Sequence, residues 1–308
     1  MLQRRGSYEF WTPPNPRDFR FGEAGGRLEL VSSSELGYQI YRTGVLEVNG
    51  ENVQIPGGSG LTVDVTEDLI DNTGMPTGLQ PATLARTYAY VGNSSSAIAA
   101  PALRLSSSAP VDYNGFKYLE TSGGGENWRF VGWVGTLGSP SVQFRDDDTA
   151  RLVANAYNRV RKSLFLCPGY NDNNTDTTYT INSAAWAGIG TTASLTDTVA
   201  FVSNGEDSIA FDAVVSSHTS AGGWRIGIGV AGTIANARTT VKVAAQLRNG
   251  ITNHSTGCSW GSIISDGFYF AALSAYTASV TMTVHADLSR HGAVADTAAT
   301  YLQGCVWC

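Results

Sequence analysis

The chain has 308 residues, of which 42% are hydrophobic and 15% charged, with a formal net charge of −6. That hydrophobic fraction excludes a disordered chain, and the length suffices for two β domains with a sizeable core. An acidic balance with no sustained basic run excludes a nucleic-acid footprint, and no apolar stretch reaches the length of a membrane span.

Low charge with 35 glycines and abundant Ser and Thr suits tightly turned β structure. Lysine occurs only at Lys117, Lys162 and Lys242, so most positive charge is arginine, which is less strongly hydrated and suits contacts between chains. The basic start Met1-Leu2-Gln3-Arg4-Arg5 is followed by Gly6-Ser7-Tyr8-Glu9 rather than an apolar run, so the expectation is synthesis in a cytoplasm without a signal peptide.

Residues 1–30 read as an extended arm. Phe10, Trp11, Phe19 and Phe21 alternate with Pro13, Pro14, Pro16, Arg17 and Arg20, and the prolines prevent regular helix or central strand. Such an aromatic segment either docks on a partner or folds as a lid over its own core. Residues 31–150 read as a small antiparallel β domain. Its clearest signal is Val45 to Ile55, where Asn49-Gly50 supplies the positive-φ pair of a type I′ hairpin. Leu61 to Val65 alternates as a half-buried strand, and short strands follow at Thr87–Val91, Ala102–Leu105, Phe116–Leu119 and Val142–Arg145. Trp128 to Val134 is apolar at most positions, as in a strand covered on both faces.

The junction falls near residue 150, where Ala150–Tyr157 suits a strand better than a helix. Residues 151–308 then read as a β-sandwich of jelly-roll type, with strands at Ser163–Cys167, Thr178–Ile181, Thr198–Val202, Ser208–Val215, Trp224–Val230, Thr239–Val243, Phe268–Leu273 and Ser279–Leu288.

The motifs that could carry chemistry are each incomplete. Gly227-Ile228-Gly229-Val230-Ala231-Gly232 fits G-x-G-x-x-G, but no acidic residue lies between Asp212 and Asp266, so it reads as a glycine-rich strand packed on another backbone. Asp172, Asn174 and Asp176 have calcium-loop spacing without the sixth-position Gly or twelfth-position Glu. Asp146, Asp147 and Asp148 form no carboxylate pair of glycosidase type. His218, His254, His285 and His291 fall in no metalloprotease pattern. Cys305 and Cys308 form a lone C-x-x-C, with Cys167 and Cys258 isolated. Free thiols, a late disulfide and a metal site all remain open. The reading is therefore a protein that is not an enzyme and uses no cofactor or metal. Trp186, Trp260 and Tyr269, near Gly- and Ser-rich segments, are the candidates for stacking on a sugar ring, against a core-filling alternative.

Tyr38-Gln39-Ile40-Tyr41, Leu46-Glu47-Val48-Asn49-Gly50, Ala89-Tyr90-Val91, Gly132-Trp133-Val134-Gly135-Thr136 and Tyr157-Asn158-Arg159 give the chain its character. In these runs it resembles small fibre and minor structural proteins of tailed bacteriophages. The resemblance implies an N-terminal attachment part, a C-terminal jelly roll, a homotrimer and residence in the virion after synthesis in the bacterial cytoplasm. The expected partners are other virion proteins of the portal, tail or capsid and a host surface glycan. On this reading Phe10, Trp11, Arg17, Phe19, Arg20 and Phe21 anchor the chain, and Trp186, Trp260 and Tyr269 face the host. A capsid decoration protein is the alternative.

Overall fold

The computed structural model describes residues 26–40, 44–57, 60–93, 100–120, 125–138, 141–168, 178–190, 196–219, 224–247, 254–277, 281–285 and 300–308. Among the described residues, apart from one short helix and a 3-10 turn at Gly125–Asn127, the regular structure is β, as the composition suggests. The first strands are β1 (Gly26–Leu30), β2 (Glu35–Ile40), β3 (Val45–Val48), β4 (Glu51–Gln54) and β5 (Leu61–Asp64). β2 pairs with both β1 and β5, and β3–β4 is a separate hairpin. Asn49 and Gly50 have φ of 51° and 79°, so both central turn residues are left-handed, as the dipeptide specifies.

A larger sheet follows, from β6 (Arg86–Gly92), β7 (Ala102–Ser106), β8 (Val111–Tyr113), β9 (Phe116–Tyr118), β10 (Trp128–Gly138) and β11 (Val142–Phe144). β10 is its axis, pairing with β6, β9 and β11 and buried over its first ten residues. One face packs on β1–β5 through Leu28, Leu36, Leu46, Val63, Ala89 and Val131.

The junction is interleaved. β12 (Asp146–Asp147) and β13 (Ala150–Arg151) join the following block, β13 running parallel to a later strand at Ala200–Phe201. β14 (Val153–Asn155) returns to pair with β10, and β15 (Arg161–Leu166) leaves again. The buried Asn155 amide accepts from Leu28 N at 2.6 Å and donates to Leu28 O at 3.2 Å, tying β14 to β1. The chain thus crosses between blocks three times around residue 150.

The second block continues with β16 (Thr178–Ile181), β17 (Ala187–Gly188), β18 (Thr198–Ser203), β19 (Ser208–Thr219), β20 (Trp224–Ala231), α1 (Ile234–Thr239), β21 (Val241–Leu247), β22 (His254–Ile263), β23 (Gly267–Thr277), β24 (Met282–His285) and β25 (Tyr301–Trp307). One sheet runs β12-β13-β18-β23-β20-β21 with β17 beside β23, and the other runs β15-β25-β19-β24-β16 with β22 beside β19. They face each other across Val199, Phe201, Phe211, Ile226, Ile228, Leu273, Val284 and Leu302. This is the two-sheet sandwich expected for the C-terminal part.

β23 serves two cores. Ala271, Leu273 and Ala275 point into the sandwich, while Phe270 and Ala272 point out. The outward residues, with Ala200 and Val202 of β18, pack against Tyr88, Tyr90, Phe130 and Trp133 of the first block. A third apolar core therefore forms the seam between the blocks.

Two expectations are corrected. The arm does not run to residue 30, because Gly26–Leu30 is strand β1 with Leu28 fully buried; residues 1–25 lie outside the described residues. β22 and β25 were not foreseen. In β22 only Thr256, Cys258 and Trp260 turn inward, with Ser and Gly between, so the apolar signal is thin. In β25 Gly304 interrupts the pattern because the Phe211 ring lies over it, where a Cβ would collide. Gly227 and Gly229 of the G-x-G-x-x-G run lie in β20 and Gly232 just past its end, and a Cβ at Gly229 would fall inside contact of the Ala237 carbonyl, so this glycine lets α1 rest on the sheet.

Candidate functional site

The turns of the sandwich that face the first block enclose an open cleft of about 470 Å³ along the seam. Its floor is Tyr88 and Trp133, which sit directly opposite each other on β6 and β10. Both are strand aromatics, and Phe130 fixes the indole edge-on at 4.8 Å and 86°. Ala109, Pro110 and Lys117 form the first-block wall, and Asn204, Gly205, Ser265 and Asp266 form the sandwich wall.

Both sandwich turns are locally stiff. Asn204 Oδ1 accepts from the backbone N–H groups of Glu206 and Asp207 at 2.9 and 3.0 Å, and its Nδ2 donates to Asp207 at 2.6 Å. Gly205 takes φ 81°, the left-handed region this turn needs. Ser265 shares a hydrogen bond of 2.6 Å with the Tyr269 hydroxyl.

Ion pairs span the cleft mouth. Arg86 of the first block meets Asp266 of the sandwich at 2.9 Å, with side chains 27% and 49% exposed. Arg159 holds Glu206 at 2.7 Å and Asp207 at 2.5 Å, and Lys117 approaches Glu206 at 4.0 Å. Half-exposed pairs of this kind contribute little to stability, so their partners can be exchanged for ligand hydroxyls. Burial pushes the Tyr88 phenol above its ordinary value, against the pull of Arg86. All three mouth carboxylates, Asp266, Glu206 and Asp207, are tied to arginines. Tyr88 and Trp133 are only 5% and 4% exposed, so the cleft offers a ligand the hydroxyl, amide and charged groups of its walls above a closed apolar base.

The sequence candidates separate. Trp260 stacks on Phe211 at 6.3 Å and 16°, and Tyr269 stacks on Phe201 at 5.9 Å and 23°. Phe201 and Phe211 meet at 5.5 Å, so Trp260 and Tyr269 are the two half-buried ends of one aromatic cluster between the sheets. Tyr269 reaches the cleft wall through Ser265. Trp186 lies on the outer face of the other sheet, 5.9 Å from Tyr276 and over Gly227, and joins neither group. Phe10, Trp11, Arg17, Phe19, Arg20 and Phe21 lie outside the described residues. So do the calcium-spaced Asp172, Asn174 and Asp176.

Sequence reading missed Tyr88, Lys117, Trp133, Asn204 and Asp266. Tyr88 and Trp133 sit in runs that read as strands, and Asn204-Gly205 and Asp266-Gly267 fall outside the strands foreseen from sequence. The Asn-Gly and Asp-Gly pairs on either side of long strands were the available signal, because sandwich turns gather at the two ends.

Asp146, Asp147 and Asp148 serve structural ion pairs. Lys162 and Arg151 hold Asp146, Arg145 holds Asp147 at 2.7 Å, and Arg151 holds Asp148 at 2.5 Å. Among the described residues no group of three His, Cys, Asp or Glu side chains could hold a metal ion. None of the four cysteines is in a disulfide, and Cys167 and Cys308 are buried. Cys305 and Cys308 lie three residues apart on extended chain, about 10 Å by strand rise, beyond disulfide reach. Burial, with Asp212 nearby, pushes the Cys258 thiol up to about 11, and burial pushes Cys308 to about 12.

No family model matches the chain. No curated protein matches it either. Among solved structures it is similar to an insecticidal delta-endotoxin from Bacillus thuringiensis, at 8% identity and a TM-score of 0.27 over 91% of this chain. The chain spans 51% of that protein's length. It is also similar to a chain of the infectious bursal disease virus Gx strain, at 9% identity and a TM-score of 0.23 over 93% of this chain and 73% of that one. Neither likeness identifies a family, a partner or an activity.

Proposed function

We propose that the chain is a non-enzymatic structural protein of a tailed-phage virion. It is a tail or head fibre, attached through its N-terminal arm and touching the host surface through its C-terminal sandwich. The observation that carries this reading is the seam. Tyr90, Phe130 and Trp133 are buried against Ala200, Val202 and Phe270, joining two β blocks into one stiff body. Stiffness suits a part that holds a binding end at a fixed distance from a particle. Residues 1–25, with Phe10, Trp11, Arg17, Phe19, Arg20 and Phe21, precede that body and engage portal, tail or capsid proteins.

Host contact falls to the cleft and the sandwich turns beside it, where a surface glycan meets the amide, hydroxyl and charged groups at the mouth. Single sites of this kind are weak, and several copies, a homotrimer in the resemblance, supply avidity. Strand β22 supports contact between copies. It is 10 residues long, pairs only with β19 among the described strands, and carries no Asp, Glu, Lys or Arg. The edge strands β1, β7, β15 and β21 each carry charge, the usual guard against edge pairing, while the uncharged edge strand β16 is only four residues long.

The test is deletion of residues 1–25. The truncated protein keeps its melting temperature and is missing from particles assembled in its presence; normal incorporation removes the anchoring role. The uncharged edge of β22 equally suits a decoration protein lying against coat subunits. Adsorption of the purified protein to host cells separates the two, because only the fibre binds them.

A further inference from the structure

The first block buries a charge that the proposed function leaves unused. Arg129 of β10 is 0% exposed, beneath the β3–β4 hairpin. Its Nη1 donates to the Glu47 carbonyl at 2.6 Å. The guanidinium carbon stands 4.1 Å from the centre of the Phe116 ring and 5.3 Å from that of Tyr157. Nε and Nη2 are buried without a partner. Arg129 belongs to none of the ion pairs among the described residues.

Two phenols beside it are also short of partners. The hydroxyl of Tyr157 is buried and unpartnered, and that of Tyr38, 1% exposed, has only the Gly26 backbone N–H beside it and no acceptor for its own proton. Burial raises the Tyr38 phenol; Arg129 is close enough to pull it back and Tyr157 close enough to push it further. The hydroxyl of the neighbouring Tyr118 is already engaged, accepting from Asn49 N at 3.0 Å.

Leaving a guanidinium bare in a core is costly, and two ring faces recover only part of that cost. An apolar side chain of similar volume would fill the same place more cheaply. Donors also outnumber acceptors, because Nε–H, Nη2–H and two O–H groups meet no carbonyl or carboxylate of their own. We infer that Arg129, Tyr38 and Tyr157 form a binding site for a small inorganic monoanion of chloride size. Nε and Nη2 of Arg129 are the charged donors, and the two hydroxyls complete the shell. Tyr157, only half-buried as a residue, is the wall through which the ion exchanges. The enclosure by Phe116, Tyr118 and Tyr38 selects against larger oxyanions.

The full chain is melted in sodium chloride, sodium bromide and sodium gluconate at equal ionic strength, and crystals grown in bromide are read for anomalous signal. The halides raise the melting temperature by on the order of a few degrees over gluconate. A bromide peak lies within hydrogen-bond distance of Arg129 Nε and Nη2. Tyr157→Phe keeps the ring, removes one donor and shrinks the halide increment; Arg129→Met abolishes it. Should Arg129→Met not fold, Tyr157→Phe carries the decision. A halide increment that Tyr157→Phe leaves unchanged, or a water in place of bromide at Arg129, overturns the assignment.

Discussion

Substituting Phe270→Ala tests whether the seam makes the two blocks one unit. Phe270 is 2% exposed on β23, meets Phe268 edge-on at 5.1 Å and faces the aromatic floor of the first block. Removing a buried Phe costs about 3–5 kcal/mol in transfer and cavity terms. At roughly 2 °C per kcal/mol for a chain of this length, the melting temperature falls by about 6–10 °C. The loss is shared by both blocks, so the variant unfolds in two calorimetric steps where the parent unfolds in one. Leu273→Ala is the control. It lies on the same strand at 0% exposure but points into the sandwich, so it lowers the melting temperature by a comparable amount without splitting the transition. If the parent already unfolds in two separated steps, or Phe270→Ala shifts the midpoint by less than about 1 °C, the seam is a loose contact and the stiff-body argument fails.

Gly229→Ala places a Cβ inside contact of the Ala237 carbonyl, so α1 lifts from the sheet at a cost of about 1–3 kcal/mol. Faster proteolysis within Ile234–Thr239 is the readout, and an unchanged cleavage rate rejects the close packing. The thiols give a pH-dependent signature. Cys258 and Cys308 are raised in the folded chain to about 11 and about 12 from the ordinary 9.0. Their contribution to stability is complete below pH 9 and is lost as pH rises from there through the folded values, because the unfolded thiols ionise first. Alkylation mapped by mass spectrometry at pH 8 modifies Cys308 only after denaturation; rapid labelling of the native chain contradicts its burial.

The all-β class was legible because it is written locally. Asn49-Gly50 closes its hairpin through the backbone preferences of two residues, and β10 announces double-sided burial in its own run from Trp128 to Val134. β22 and β25 were not, because β22 turns only Thr256, Cys258 and Trp260 inward and Gly304 of β25 is small to admit the Phe211 ring of another strand. The site was less legible still. Trp260 and Tyr269 cap opposite ends of one core cluster, through Phe211 and Phe201, and Trp186 lies on another face. The cleft instead draws on Tyr88, Lys117, Trp133, Asn204 and Asp266, which span more than half the chain.

By itself, the sequence determined the strand-forming chemistry, the low charge, the glycine-rich turns and an aromatic, proline-broken segment ahead of the first strand, since each depends on neighbours a few residues apart. Tertiary structure alone decided that β12 and β13 join the second block while β14 returns to the first, and that outward-facing Phe270 and Ala272 meet Phe130 and Trp133. It also left Arg129 without an ionic partner. A strand's residues fix which side chains share a face, but not what that face will meet, and both the seam and the buried charge depend on that second fact.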